Sequence, residues 1–391
     1  MRYEKKNKAL LFAAVIFTAL NLRSPIIGVG SLVDAMRADL GLSGSVAGSL
    51  TTLPLLVFAA VSPLAARLAA RFGTGRTLAV SMFLIAAGAA VRSWLGGGGL
   101  LAGMVIIGVG IACGNVLLPV VVKARWPERI GPMTSLYTTA QSIFAGLAAA
   151  VCVPLSRIGS LGWRGALAVW GVPALAAAIL WLPQWGWKLP LSAPAGGGSA
   201  VKAGRSRVAW YCTAYMGTQA IVFYSISAWL PAILTAKGVE SAAAGYMASL
   251  YQLVGIVSNF LAPNLAARMR DQRPLTGIVG VLYALGVALL WGTKNSFLLF
   301  AAVVLCGFAT GCAFSLCMAF IGMRTRTAAD ASRLSGMLQS VGYAIAALGP
   351  VLIGRLLDAS GGWTLPMAAL LLGVLINTLA GQLAGKPGFV E

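Results

Sequence analysis

The sequence predicts an all-α membrane protein of twelve spanning helices, built as two parallel six-helix halves. Three observations carry this. The chain has 391 residues, of which 59% are apolar and only 10% charged; soluble domains carry roughly 25% charged residues. The apolar residues gather into twelve runs close to the ~20 residues that a helix needs to cross a bilayer. The six runs before one long polar break and the six after it repeat their polar landmarks in the same order. Intrinsic disorder needs low hydrophobicity, the reverse of this composition.

The first run, 9–33, follows Arg2, Lys5, Lys6 and Lys8. No small-residue cleavage site closes a short apolar core, so it reads as a spanning helix and not as a removed signal peptide. The second, 46–68, carries Pro54 and Pro63, and the third is 77–95. The fourth, 100–122, contains Gly108, Gly110 and Gly114, small residues that let helices approach closely. No strand or phosphate-binding lysine accompanies them, so they are not a nucleotide motif. The fifth is 133–155; the sixth, 165–185, closes on Trp181, Trp185 and Trp187, read as an interfacial belt. After the break come 208–234, 242–266, 275–291, 297–322, 334–357 and 365–383. Prolines within or beside the runs, among them Pro25, Pro119, Pro231 and Pro350, suit helices that bend.

The break holds Pro190, Pro194 and Gly196-Gly197-Gly198 among basic residues and reads as a flexible linker. The expected organisation is therefore a bundle over 1–187, a cytoplasmic linker over 188–207 and a second bundle over 208–391. With the N-terminus inside, 21 of the 29 basic residues fall on the inner side, seven (Arg92 among them) on the outer side, and Arg23 in the membrane. This bias places both termini in the cytoplasm. It also accounts for the net charge of +20 without a nucleic-acid partner.

The six cysteines all lie in apolar runs and read as small core residues. Histidine is absent and the nine acids fall in loops, termini or span ends. The sequence thus implies no metal site and no cofactor, and it disfavours an enzyme.

Arg23 is the sharpest feature. Counted from Ala9 it sits about 21 Å into a hydrocarbon core of roughly 30 Å. A cation at the centre costs roughly 2.5–3.5 kcal/mol to insert. Arg23 either snorkels about 9 Å to the outer headgroups or lines a cavity. Pro25 and Gly28, which make the backbone here breakable, favour the cavity. No acid in the core is an evident partner for Arg23; Asp34, at the outer rim, is the nearest candidate. An anionic substrate is the most economical acceptor, and the lack of a membrane carboxylate weakens classical proton symport. Asn21, Gln141, Gln219, Gln252 and Gln339 lie near the same depth, with Asn115 closer to the cytoplasm. Such amides serve either as helix–helix glue or as a shared polar site. Tyr215, Tyr224, Trp229, Tyr251 and Tyr343 are candidate walls.

The internal matches are Gln141-Ser142 with Gln339-Ser340, Gly110 and Gly114 with Gly307 and Gly311, Leu64-Ala65-Ala66-Arg67 with Leu265-Ala266-Ala267-Arg268, and Asn21 with Gln219. Two parallel six-helix halves resemble the major facilitator transporters, which bind substrate at the midplane between the halves. The loop from Arg67 to Arg76 resembles that family's Gly-x-x-x-Asp-Arg-x-Gly-Arg signature at Arg71, Gly73 and Arg76, with Ala70 in place of the Asp. The resemblance implies a cytoplasmic gating latch; the loop reads equally as a positive-inside anchor. Asn21-Leu22-Arg23-Ser24-Pro25-Ile26, Gly114-Asn115-Val116-Leu117-Leu118-Pro119 with Lys123, and Gln219 through Phe223-Tyr224 to Trp229-Leu230-Pro231 resemble the cyanate and 2-nitroimidazole permease branch. That resemblance implies a multi-pass protein of the bacterial inner membrane whose cavity is lined by Asn21, Arg23, Asn115 and Gln219.

The expected function is transport of a small anion by alternating access, with no partner but substrate and lipid and with one chain sufficient as a monomer. Arg23 would bind the charge, Asn21, Asn115, Gln141, Gln219 and Gln339 would orient it, and Tyr224 and Trp229 would shape the pocket. Export of neutral nitroimidazole-like compounds and a non-transporting membrane sensor are the alternatives.

Overall fold

Lipid offers main-chain groups no hydrogen-bond partners, so apolar runs of this length are driven into helices that satisfy themselves. The computed structural model describes residues 2–30, 32–41, 44–189 and 203–391 and, within them, all side chains but those of 2–8, 33, 34, 37, 44–49, 51, 203, 241 and 242. Residues 190–202 of the expected linker and the side chains of Asp34 and Arg37 lie outside this description. Among the described residues every regular element is helical, and twelve spans are long and apolar enough to cross a membrane.

The first crossing consists of α1 (Arg2–Leu20) and α2 (Ser24–Gly30), followed by α3 (Val33–Leu40). The next four are α4 (Gly44–Phe72), α5 (Thr74–Trp94), α6 (Gly96–Arg125) and α7 (Ile130–Ser156), and the sixth is split into α8 (Gly162–Ala168) and α9 (Gly171–Trp181). Then come α10 (Arg207–Ala236), α11 (Ser241–Arg268), α12 (Arg273–Gly292) and α13 (Ser296–Met323). The eleventh crossing is split into α14 (Ala328–Ala346) and α15 (Gly349–Ser360), and α16 (Thr364–Gly385) is the twelfth. The outward surface is apolar: Phe83, Ile179, Val281, Leu372 and Leu379 are each more than half exposed. That is the surface expected of helices solvated by lipid.

The chain forms two compact units: Met1–Arg125 with Leu136–Ala200 and Thr327–Ser340, and Trp126–Ser135 with Val201–Arg326 and Val341–Glu391. In the first unit, α5 and α6 touch through glycines. A Cβ on Gly110 would stand 2.4 Å from the Ser81 carbonyl oxygen, and one on Gly114 would stand 2.5 Å from Leu22 Cδ2. In the second unit, a Cβ on Gly307 would lie 2.5 Å from the Tyr251 carbonyl, and one on Gly311 2.1 Å from Ser258 Oγ. The four glycines matched between the halves thus all mark close helix contacts. Pro63 has no N–H to offer the Ala59 carbonyl four residues earlier. The Ser340 hydroxyl donates to it instead, at 2.7 Å. Ser335 likewise donates to the Val116 carbonyl at 2.8 Å within the first unit, and Ser135 to the Phe260 carbonyl at 2.8 Å within the second.

The six cysteines are free and buried. Trp181 departs from the expected interfacial belt. It is fully buried, its indole N–H donates to Thr18 Oγ1 at 2.8 Å, and it stacks on Trp187 at 6.3 Å.

The glycine contacts predict a contrast in purified protein. Gly110→Ala meets backbone and should lower unfolding free energy by about 1–3 kcal/mol, the usual range for overpacking. Gly98→Ala, with open space around it, should change it by less than about 0.5 kcal/mol. Thermal unfolding in detergent measures both.

Candidate functional site

Span one unwinds where the sequence sets Asn21-Leu22-Arg23 before Ser24-Pro25. α1 ends at Leu20 and α2 begins at Ser24. Pro25 is tolerated in the first turn of α2, where its missing N–H costs least. The carbonyls loosened by the break are met locally. Asn21 Nδ2 donates to the Phe17 carbonyl at 2.7 Å and Ser24 Oγ to that of Leu20 at 2.8 Å. Gly114 on α6 leaves room for Leu22 of the unwound turn. Asn21 is fully buried, and its Oδ1 accepts no hydrogen bond among the described residues. Arg23 is half-buried.

A second arginine holds this break in place, and here the sequence reading needs correction. Arg92, counted with the outer-side charges at the end of the third run, is 0% exposed. Its guanidinium donates to the Pro25 carbonyl and, at 3.2 Å, to the Leu167 carbonyl, and it contacts Met104 Sδ at 3.5 Å. It ties α2, α5, α6 and α8 together over a packed layer that includes Val29, Met104, Cys152 and Trp170. A buried cation without a carboxylate is stable only when main-chain oxygens surround it. The Arg92 site meets that condition in part: two carbonyls and the Met104 sulfur take Nη1 and Nη2, while Nε donates to no atom among the described residues.

The other expected residues of the first unit sit on separate helices. Asn115 on α6, Gln141 on α7 and Gln339 on α14 are all buried. Gln141 Oε1 accepts no hydrogen bond among the described residues. The loop after α4 is built by Gly73, whose φ of 99° favours glycine, and by Gly75, where a Cβ would fall 1.8 Å from the Gln184 carbonyl. The Gly75 N–H donates to the Trp187 carbonyl at 3.1 Å. Arg71 and Arg76 are exposed, with Arg71 over Phe72 and Arg76 over Trp185. The loop is thus packed against the segment that follows α9.

In the second unit, Gln219 donates to Thr310 Oγ1 at 3.3 Å. The Tyr251 hydroxyl faces those of Thr310, Tyr283 and Ser227, and Gln252 donates to Ser227 at 3.4 Å. Thr310, Ser227 and Tyr283 were not singled out in the sequence, because one hydroxyl in an apolar run carries no distinctive signal. Tyr224 is half-buried beside Phe223 at 4.9 Å. The Trp229 N–H is engaged by the Pro350 carbonyl at 2.9 Å, and its ring meets Trp363 edge-on. Arg324 repeats the chemistry of Arg92. It is buried and donates to the Ala384 and Gly385 carbonyls at 3.0 and 2.9 Å and to Gln272. Burial holds its pKa below the ordinary arginine value.

Among the described residues no cluster of His, Cys, Asp or Glu is able to hold a metal ion. The described ion pairs are Arg164–Asp39, Arg273–Asp271, Arg326–Glu391 and Arg333–Asp330, all at helix ends or connections. A chain with a broken, polar first span inside twelve crossings has the build of a membrane transporter. The Major Facilitator Superfamily model matches residues 10–347 and 242–385, and the chain belongs to that family. It is 40% identical to an uncharacterized transporter of Bacillus subtilis (strain 168), over 97% of this chain and 94% of the relative. It is 38% identical to the 2-nitroimidazole transporter of Escherichia coli (strain K12), covering 97% and 96%. To the cyanate transport protein of the same organism it is 29% identical, covering 94% and 96%. The solved proton:xylose symporter of the superfamily aligns with a TM-score of 0.81 at 14% identity, covering 99% and 98%, which shows the shared fold. The protein is therefore a multi-pass membrane transporter of the major facilitator type, and its family and relatives are transporters, not enzymes.

Arg92→Met should lower the unfolding free energy by about 3 kcal/mol, through carbonyls left unpaired in a dry site. Arg92→Lys should recover less than half of that, since an ammonium lacks the planar fork that reaches two carbonyls. Thermal unfolding of the purified variants reads the difference.

Proposed function

We propose that the protein carries a small anion, such as cyanate or a small carboxylate, across the bacterial inner membrane by alternating access. The observation that carries this reading is the unwound turn at Asn21–Arg23, which sets a half-buried guanidinium and an unsatisfied amide oxygen inside a span. Arg23 binds the negative group. Asn21, Asn115, Gln141, Gln219 and Gln339 orient it, and Tyr224 and Trp229 shape the pocket. Arg71, Gly73 and Arg76 form the gating loop on the cytoplasmic face. Both termini are cytoplasmic, as the arginine bias argues, and one chain is the working unit.

The relationship to the 2-nitroimidazole transporter favours a second reading, in which the substrate is neutral and its nitro oxygens accept from the same guanidinium. Both readings give Arg23 the same task, so one assay separates them. In counterflow with proteoliposomes, cyanate should compete with labelled substrate, and 2-nitroimidazole should compete less well if the anion is preferred. Arg23→Ala and Arg23→Lys should each weaken apparent affinity at least about tenfold while the protein remains folded, since lysine loses the bidentate fork. Unchanged transport in both variants would contradict the assignment.

A further inference from the structure

The groove on the membrane-facing side of the second unit, between α12 and α16, has two chemical halves. Its volume is about 810 Å³. Ile278 and Val281 line it and are 59% and 66% exposed. Its depth comes from small residues: Gly277 stands against the Gln382 amide, and Gly280 against Thr378. One end of the groove is polar. Arg273 there is exposed and holds Asp271 through Nε and, at 2.6 Å, through Nη2. Gln382 Nε2 donates to the Arg273 carbonyl at 2.7 Å, which fixes that end of the groove. Arg268 and Arg270 are exposed on the connection that leads into this end, a stretch that holds three arginines and one acid. The Arg273 pairing holds the Asp271 carboxyl below its usual pKa, so this count is the one that applies at neutral pH.

From Arg273 to Leu282 the groove runs about 14 Å along α12, at 1.5 Å per residue. Half of a ~30 Å hydrocarbon core is about 15 Å. A positive rim above an apolar trough one leaflet deep matches an acyl chain joined to a phosphate. We propose that this groove binds one anionic phospholipid from the adjacent leaflet, its phosphate on Arg270 and Arg273 and one acyl chain along Gly277, Ile278 and Val281. Basic pockets between spanning helices are suited to anionic headgroups, and the net charge of the rim favours phosphatidylglycerol over a zwitterionic lipid. This inference is independent of the substrate.

Native mass spectrometry of the purified transporter in neutral detergent tests it, with phosphatidylglycerol, phosphatidylcholine of equal chain length, and inorganic phosphate as separate probes. Phosphatidylglycerol should be retained at least about fivefold more than phosphatidylcholine. Retention should fall by a similar factor in the double variant Arg270→Gln/Arg273→Gln and, separately, in Gly277→Leu, which fills the trough against a flexible glutamine. Either variant decides the matter if the other fails to fold. Equal retention of both lipids, or retention unchanged in the folded variant, would overturn the proposal. So would inorganic phosphate binding as well as the lipid, which would mark a free-phosphate site. Disulfide cross-linking of Val281→Cys between chains in the membrane would give the groove to a second copy instead, and would also overturn it.

Discussion

A helix that breaks inside a membrane must find partners for every main-chain group it frees, because the surrounding hydrocarbon supplies none. The rest of the first unit is arranged around that demand. The turn Asn21–Arg23 is bracketed by side chains that fold back onto carbonyls of α1. Arg92 reaches from α5 to the Pro25 carbonyl on the far side of the break. Trp181 secures α1 from α9 through Thr18. Gly114 clears the space into which Leu22 turns. The break is a supported structural feature, and its support comes from three other helices, α5, α6 and α9.

The two membrane arginines show why residue type does not decide a role. Arg92 is fully enclosed and its terminal nitrogens donate to the Pro25 and Leu167 carbonyls, so its position serves the fold. Arg23 is half-buried on the unwound turn between α1 and α2. The second unit uses the same enclosed device at Arg324, where carbonyls at the end of α16 and Gln272 take the donors. In both units a buried cation takes carbonyls at the C-terminal end of a helix, Leu167 of α8 for Arg92 and Ala384 and Gly385 of α16 for Arg324, groups that would otherwise lack a partner.

The crossings were legible because hydrocarbon thickness sets a length that the apolar runs match one for one. The break in the first span was legible too, since Pro25 and Gly28 interrupt an otherwise continuous run beside Asn21 and Arg23. Gly110 and Gly114 announced close contacts, and the structure places backbone or side-chain atoms against them and against their repeat matches Gly307 and Gly311. Arg92 was not legible. An arginine at the end of an apolar run looks the same whether it snorkels or turns inward, and only the carbonyls of Pro25 and Leu167, 67 and 75 residues away, decide between them. Trp181 failed for a related reason, because its partner Thr18 is 163 residues distant. The hydroxyls of Thr310, Ser227 and Tyr283 gain meaning only when three helices bring them to Tyr251 and Gln219. Long-range pairing of short polar groups is what a linear reading of apolar runs omits.

The account stands or falls on whether the unwound turn meets water while the Arg92 site stays dry. Thiol labelling compares the two in one membrane preparation. Arg23→Cys is placed in a chain whose six native cysteines are replaced by alanine. A second chain keeps only Cys152, which lies beside Arg92. With a small, membrane-impermeant, anionic thiosulfonate, the account predicts modification at position 23 and none at Cys152. Failure of position 23 to react from either face, or equal reaction at Cys152, would contradict it.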